Sequence, residues 1–205
     1  MRGTIPEKIK NKYLLDILSR RDRHMDRVSC YTEILLRELD KRGCEEIDSL
    51  HIPAMIMAAR LHDVGKLMVD EKLIYNPNKL TFEELTEVRN HPAAGAQFLQ
   101  ELFSQDDDFV LKSYAINAAL FHHERWDGQG YPHGLTGTDI PFIARVVAVA
   151  DVYDALRAQR VYKEAFSHLH ASAMILQDTG KAFDPQVTAA FRTQNTAIER
   201  LSNEG

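Results

Sequence analysis

Residues 53–66 read Pro-Ala-Met-Ile-Met-Ala-Ala-Arg-Leu-His-Asp-Val-Gly-Lys and end in a cluster of chemically active side chains. Pro53 suits the first turn of a helix, and the apolar residues after it recur at helical spacing. We expect Gly65 to end this helix. Because adjacent helical side chains point about 100° apart, His62 and Asp63 reach one metal cluster most easily at a helix end.

A second pair, His122-His123, repeats this arrangement. It ends a helix predicted over residues 109–122 and precedes Trp126-Asp-Gly-Gln-Gly-Tyr-Pro-His-Gly-Leu-Thr-Gly. That segment holds four glycines and a proline, so it cannot be a helix. We therefore expect a long ordered loop directly after the two histidines, a position in which loops often carry function.

Asp151 lies in a helix predicted over residues 142–156 that is apolar nearly all round and should be buried. A buried carboxylate without a partner costs far more free energy than one hydrogen bond returns. A cation is therefore the expected partner of Asp151. Asp154, one turn later on a similar face, is a second candidate for that role, but a hydrogen bond to a neighbouring loop is the favoured interpretation.

Each histidine taken singly is more readily explained as a core or surface residue than as a ligand. Imidazoles and carboxylates that cluster in this way are nevertheless typical of metal sites, and separate explanations for each residue would have to coincide. The predicted metal set consists of His62, Asp63, His91, His122, His123 and Asp151.

The rest of the chain also has helical patterning. Helix-period spacing predicts helices over residues 8–18, 25–39, 91–103, 169–177 and 185–193. Thr81 and Glu84 form a capping box at the start of another helix. We find no convincing strand, so the predicted fold class is all-α.

Composition excludes several kinds of protein. With 205 residues, the chain suits one domain, or one domain with a helical appendage. Its net charge of −5 gives no general attraction to polyanions, so nucleic acid is not an expected bulk partner. Cys30 and Cys44 are too few for a disulfide framework. No signal peptide or membrane-spanning run is visible, and we expect a cytoplasmic protein that does not bind membranes.

An ordered series of segments from about His24 to Phe191 resembles the HD-GYP domains. These are helical, metal-dependent phosphodiesterases of the HD superfamily that act on bacterial cyclic dinucleotides. The matching segments are Leu61-His-Asp-Val-Gly-Lys, Asn76-Pro-Asn-Lys-Leu-Thr, His91-Pro-Ala-Ala-Gly, His122-His-Glu-Arg-Trp-Asp-Gly-Gln-Gly-Tyr-Pro-His-Gly-Leu, Ile140-Pro-Phe-Ile-Ala-Arg, Asp151-Val-Tyr-Asp-Ala-Leu and Phe183-Asp-Pro.

The resemblance implies an HD-domain helical bundle with a metal site in its core. The domain would occupy residues 21–205, after an N-terminal helical segment or linker over residues 1–20. Two divalent metal ions are implied, with iron or manganese favoured and zinc allowed. Arg20 stands where some members carry a glutamate that supports a third metal, so we expect two ions. One ion would be held by His24, His62, Asp63 and Asp151, and the other by Asp63 as a bridge with His91, His122 and His123.

The resemblance further implies hydrolysis of cyclic di-GMP, or of a related cyclic dinucleotide such as cyclic GMP-AMP. The product would be a linear dinucleotide, with further hydrolysis to GMP left open. A hydroxide shared by the two ions would be the nucleophile. Asp63 and Lys66 are the expected catalytic residues, with Lys66 on the scissile phosphate. Arg160 and Lys163 match a basic pair that would bind the substrate.

The loop formed by Gly130, Tyr131 and Pro132 would shape the site or present a surface to regulatory protein partners. Two alternatives stay open. One is a weakly active or inactive module that binds dinucleotide or a partner protein as a regulator. The other is a general nucleotide phosphohydrolase of the wider HD superfamily. The full ligand set favours an enzyme over the first, and the Gly-Tyr-Pro loop disfavours the second.

Overall fold

The computed structural model describes residues 23–74, 76, 78–103, 108–159 and 165–204. Within them it contains α-helices and short 3-10 segments and no strand, which confirms the predicted all-α fold class. The helices are α1 (Arg23–Lys41), α2 (Ile52–Arg60), α3 (Glu71–Ile74), α4 (Phe82–Val88), α5 (His91–Leu102), α6 (Phe109–Phe121), α7 (Phe142–Arg157), α8 (His168–Gln177), α9 (Pro185–Thr193) and α10 (Asn195–Glu204). The 3-10 segments are Ser49–His51, Val64–Met68 and Gly137–Asp139.

Some predictions fall outside the described residues. They are the helix over residues 8–18, the segment 1–20, and the roles given to Arg20, Arg160 and Lys163. Within the described residues, no helix has both the length and the apolar composition needed to cross a membrane.

Helix α7 is the central element of the bundle. Every residue from Phe142 to Ala150 is buried, as expected for a helix that is apolar nearly all round. The helices α1, α6, α8 and α9 pack around it. On its far half, the ring of Tyr153 meets Tyr31 of α1 and Phe191 of α9 edge-on, with centroids 5.2 and 5.5 Å away. Burial of such side chains contributes about 1.5–3 kcal/mol of stability each. Helix α7 is therefore the main contributor to the hydrophobic core.

Most predicted helix bounds lie close to the observed ones. The capping box is confirmed, since Glu84 N donates to Thr81 Oγ1 over 3.2 Å and Thr81 N donates to Glu84 Oε2 over 2.7 Å. The short helix α3 and the terminal helix α10 were not predicted. Helix α10 packs against α1 and α9, and thus completes one side of the bundle.

The helix that contains Pro53 ends earlier than the sequence indicated. Leu61 caps α2, and His62 and Asp63 lie in the turn between α2 and the segment Val64–Met68. The prediction that Gly65 ends this helix was wrong, because Gly65 lies within the 3-10 segment that follows and its φ is not positive. A Cβ at Gly65 would lie 1.9 Å from the carbonyl oxygen of His91, so glycine is needed there because α5 approaches its backbone closely.

Candidate metal centre

The predicted ligands come together although they are spread over most of the chain. His24 lies on α1, His62 and Asp63 in the turn after α2, and His91 at the start of α5. His122 and His123 follow α6, and Asp151 is on α7. In the part of the chain that the structure describes, three groups have ligand atoms within 4.8 Å of one another. They are His91 with His122 and His123, His24 with His62 and Asp151, and His62 with Asp63 and His122.

The carboxylate of Asp63 stands between two sets of imidazoles. Its Oδ2 atom lies 3.4 Å from His24 Nε2 and 3.5 Å from His62 Nε2. Its Oδ1 atom lies 3.3 Å from His91 Nε2 and 3.6 Å from His122 Nε2. Each oxygen therefore faces a different set, which is the arrangement that a bridging carboxylate requires.

Asp151 faces the first of these sets. Its Oδ1 atom lies 3.3 Å from His24 Nε2 and 3.8 Å from His62 Nε2. Among the described residues, two buried polar atoms at this point, His62 Nε2 and Asp63 Oδ1, have no hydrogen-bond partner. Such atoms are costly to bury, and a cation between them would satisfy both.

The ring nitrogens that face the centre are the ones suited to bind metal. Backbone carbonyls lie 2.7 Å from His62 Nδ1, 2.7 Å from His91 Nδ1 and 2.9 Å from His122 Nδ1. Because a carbonyl only accepts, each Nδ1 donates its proton, and Nε2 of the neutral ring keeps its lone pair. His91 Nε2 and His122 Nε2 are 3.4 Å apart. Two Nε2 lone pairs directed at each other over this distance repel, and a cation between them would bind both.

The direction of the pKa shift separates two pairs of histidines in the site. Burial would lower the pKa of His24 and of His62, but nearby carboxylates raise them to about 11 and about 9. Burial lowers the pKa of His122 and lowers that of His123 to about 2. Burial opposes ionisation of Asp63 and Asp151 too, yet the histidines hold both pKa values well below the usual range. The carboxylates are therefore ionised, and they attract either protons or a metal ion.

Lys66 lies at the edge of this cluster. Its Nζ atom forms an ion pair with Asp63 Oδ2, and more than a third of its side chain is exposed. The predicted catalytic residues Asp63 and Lys66 are therefore neighbours. A cation that is partly open to solvent beside a shared carboxylate is well placed to meet an incoming anion.

Asp154 differs from the sequence-based expectation. It binds no neighbouring loop in the described structure but reaches α1, where Arg27 Nε donates to its Oδ1 atom over 2.6 Å. His24 Nδ1 lies 2.8 Å from its Oδ2 atom. The expectation was wrong because α1 packs against α7 on the side that carries both Asp151 and Asp154, and this packing was not visible in the sequence.

A buried glutamate that we had not singled out holds the glycine-rich loop. Glu124 Oε1 accepts from the backbone N–H groups of His133 and Gly134, over 2.7 and 3.1 Å, and Oε2 accepts from Leu135 N over 3.1 Å. The carboxylate thus ties the far half of the loop to the turn that carries His123. The sequence could have indicated this role, because Glu124 stands directly before a glycine-rich loop whose backbone N–H groups need an acceptor.

The Gly-Tyr-Pro segment packs against the centre. A Cβ on Gly130 would lie 2.4 Å from Arg125 N, so a close backbone approach requires glycine. The ring of Tyr131 stacks on His123, with centroids 4.8 Å apart and planes at 23°. The guanidinium carbon of Arg89 lies 5.3 Å from the Tyr131 centroid. Tyr131 therefore supports a predicted ligand from outside.

A family model described as HD domain matches residues 12–187 of the chain. A probable cyclic di-GMP phosphodiesterase of Vibrio cholerae is 42% identical over 172 residues, which are 82% of this chain and 39% of the relative. The cyclic di-GMP phosphodiesterase response regulator RpfG of Xanthomonas campestris is 40% identical over 148 residues, 72% of this chain and 38% of the relative. The 3′3′-cGAMP-specific phosphodiesterase 2 of V. cholerae is 34% identical over 164 residues, 80% of this chain and 29% of the relative. The chain thus spans less than half the length of these relatives.

Two solved structures share the fold. Bd1817, an HDG"Y"P protein from Bdellovibrio bacteriovorus, has a TM-score of 0.61 at 22% identity, and the match covers 95% of this chain and 61% of that one. A cyclic GMP-AMP-specific phosphodiesterase of V. cholerae has a TM-score of 0.58 at 15% identity, over 87% of this chain and 44% of that one. These likenesses confirm the predicted helical bundle. With the family match and the motifs around His62 and His122, they show that the chain belongs to the HD domain family and, within it, to the HD-GYP proteins.

Proposed function

We propose that the chain hydrolyses a phosphodiester bond in a cyclic dinucleotide, with cyclic di-GMP as the first candidate and cyclic GMP-AMP as the second. The observation that carries the proposal is the shared carboxylate of Asp63, which faces His24 and His62 with one oxygen and His91 and His122 with the other. The names of the relatives support this substrate class. The expected product is a linear dinucleotide.

The donor set fits two divalent ions that accept both imidazole and carboxylate ligands, with iron or manganese favoured and zinc allowed. When bound, such ions supply an activated water and neutralise charge on the phosphate. His24, His62, Asp63 and Asp151 would hold one of them. The second would share Asp63 and use His91, His122 and His123.

The chain's own charges would position the substrate. Lys66 is paired with Asp63 and partly exposed, so it can bind a phosphate oxygen next to the metal ligands. We propose that Arg160 and Lys163 add two further positive charges, which a chain of net charge −5 needs for local affinity to an anion. We also propose that residues 21–205 form the domain and that it acts in the cytoplasm.

A comparison of conservative variants tests the proposal. Purified chain loaded with manganese or iron is mixed with each cyclic dinucleotide, and products are separated by chromatography. We expect Asp63→Asn to lose activity by about 100-fold or more while circular dichroism shows an intact fold, because an amide is a poor bridging ligand. Asp48→Asn is the matched control and should stay active, because this carboxylate is exposed and its contacts are Leu50 N and His51, neither of which is a predicted ligand.

The regulatory alternative gives a different result in the same assay. A chain that binds a cyclic dinucleotide without turnover, whichever metal is supplied, would be a binding module. In that case the exposed residues Pro132 and His133 of the loop would be the first surface to test for a protein partner. Activity that survives Asp63→Asn in full would exclude the bridging role.

A further inference from the structure

His24 is held differently from three other predicted ligands. The Nδ1 atoms of His62, His91 and His122 each contact a backbone carbonyl three or four residues earlier in the chain. His24 Nδ1 instead lies 2.8 Å from the Oδ2 atom of Asp154, on another helix. The orientation of His24 therefore depends on a side chain that is not a predicted ligand.

Asp154 is itself tightly fixed. Arg27, on the same helix as His24, donates from Nε to Oδ1 over 2.6 Å and from Nη2 to Oδ2 over 2.9 Å. The carboxylate is only 2% exposed. The carboxylate is therefore an acceptor held in one geometry by a bidentate pair.

The remaining nitrogen of His24 faces the centre. Its Nε2 atom lies 3.4 Å from Asp63 Oδ2 and 3.3 Å from Asp151 Oδ1. A carboxylate that accepts from Nδ1 fixes both the tautomer and the ring orientation of a histidine ligand, and makes it more basic than a backbone carbonyl does.

We propose that Asp154, fixed by Arg27, is a positioning residue that orients His24 toward one of the two metal ions. The inference rests on the metal centre of the proposed function. It deepens that proposal, because the binding of one ion would depend on Asp154 and the binding of the other would not. The ion held by His24, His62, Asp63 and Asp151 depends on Asp154. The ion held by His91, His122 and His123 does not, since no contact joins Asp154 to those residues in the described part of the chain.

A purely structural role of the ion pair must be separated from this one, because Arg27 and Asp154 also join α1 to α7. The chain offers a matched control in Arg145 and Asp184, which form another buried pair, 2.7 Å apart, that joins α7 to the start of α9. Neither residue contacts a predicted ligand in the described structure. Loss of this second pair should lower stability without changing metal affinity.

The experiment measures metal affinity and not only activity. The wild-type chain and the variants Asp154→Asn, His24→Ala, His24→Ala/Asp154→Asn and Asp184→Asn are titrated with Mn²⁺ against a competing chelator, and bound metal is counted. We expect Asp154→Asn to weaken one ion about 10- to 100-fold and to leave the other unchanged, the usual effect of removing a carboxylate behind a histidine ligand. In the double variant, Asp154→Asn should add nothing to the loss caused by His24→Ala, since it acts through that ring.

Other outcomes overturn the proposal. Unchanged affinity for both ions in Asp154→Asn, or a loss equal to that in Asp184→Asn, would reduce the pair to a structural contact. An additive loss in the double variant would show that Asp154 acts without His24. If Asp154→Asn fails to fold, Arg27→Lys serves instead, because it keeps the charge and loses the bidentate geometry.

The two proposals can fail separately. A chain that binds two ions of unequal dependence on Asp154 but hydrolyses no cyclic dinucleotide would keep the inference and remove the proposed function. A hydrolysing chain with wild-type affinities in Asp154→Asn would do the reverse. A wild-type chain that binds no ion would remove both.

Discussion

Residues without any ligand atom set the geometry of the predicted ligands. Gly65 lets the segment after Asp63 lie against the backbone of His91, because a side chain at position 65 would not fit between them. The two predicted ligands thereby approach each other through contact between main chains. Exact placement at a metal centre depends on such supporting contacts as much as on the ligands themselves.

At Gly65 we therefore expect Gly65→Ala to destabilise the protein by about 2–4 kcal/mol, because the new Cβ must displace the His91 carbonyl from 1.9 Å and Gly95 N from 2.6 Å. Metal affinity should fall as well, since His91 moves. Thermal unfolding and metal titration measure the two effects.

Gly43→Ala is the control for that change. Gly43 has a φ of +74°, and a Cβ added to it would meet no atom within 4 Å, so alanine there adds only backbone strain of about 1–2 kcal/mol. It should lower stability and leave metal affinity alone. A Gly65→Ala protein with normal affinity would show that the contact with His91 is not needed.

At the scale of elements, three helices end at the centre. The carbonyls that receive Nδ1–H from His62, His91 and His122 belong to the last turns of α2, α4 and α6. Carbonyls at a helix end have spare acceptor capacity, and the imidazoles use it. The oxygens of Ala59 and Ala118 also accept the backbone N–H groups of His62 and His122, over 3.4 and 3.3 Å. The negative ends of these helices also favour a cation nearby, by about 0.3–1 kcal/mol each.

The same elements show what could be predicted from the sequence. Apolar periodicity predicted the central, buried helix α7, and the pair His122-His123 marked the end of α6. The partner of Asp154 could not be predicted from the sequence, because it depends on how α1 crosses α7. Arg27 and Asp154 are more than a hundred positions apart in the chain. The role of Gly65 was missed for the same reason, since its neighbour His91 approaches only in the folded bundle.

The loop after α6 is an element held by one side chain. We expect Glu124→Gln to cost about 1–3 kcal/mol, because the amide nitrogen cannot accept from the backbone N–H groups that Glu124 now binds. Hydrogen exchange at Leu135 should become faster, and circular dichroism should show the same helix content. Glu83→Gln changes an exposed glutamate on α4 in the same way and is the matched control. It should change neither the stability nor the hydrogen exchange at Leu135. Unchanged exchange at Leu135 in Glu124→Gln would mean that the loop is held elsewhere.

At the scale of the whole molecule, the bundle buries several carboxylates together, which requires positive charge. Without metal, protons on His24 and His62 supply it, since nearby carboxylates outweigh burial and raise the two pKa values to about 11 and about 9. Burial lowers the pKa of His122 and of His123. A metal ion would replace the protons on the first pair and would find the second pair already neutral.

These pKa shifts determine how stability without metal depends on pH. Because their pKa values are lowered, His122 and His123 take up protons less readily in the folded protein than in the unfolded chain, where the ordinary value is 6.5. Stability should therefore fall as the pH drops below 6.5. The raised pKa values of His24 and His62 give stabilisation that is fully present below 6.5 and is lost as pH rises through about 9 and about 11. The protein without metal should therefore be most stable near pH 6.5.

Bound metal should change this profile on the alkaline side, because it takes the place of the protons that His24 and His62 lose there. An ion at about 100 times its Kd adds about 2.7 kcal/mol, which for a chain of this size raises Tm by on the order of 5–10 °C. We expect manganese-loaded and chelator-treated protein to differ by that amount near neutral pH and by more as the pH rises toward about 9. Thermal unfolding across this range measures both curves. Parallel curves would contradict the exchange of protons for metal at His24 and His62, because the gap between them can widen only if the two states bind different numbers of protons.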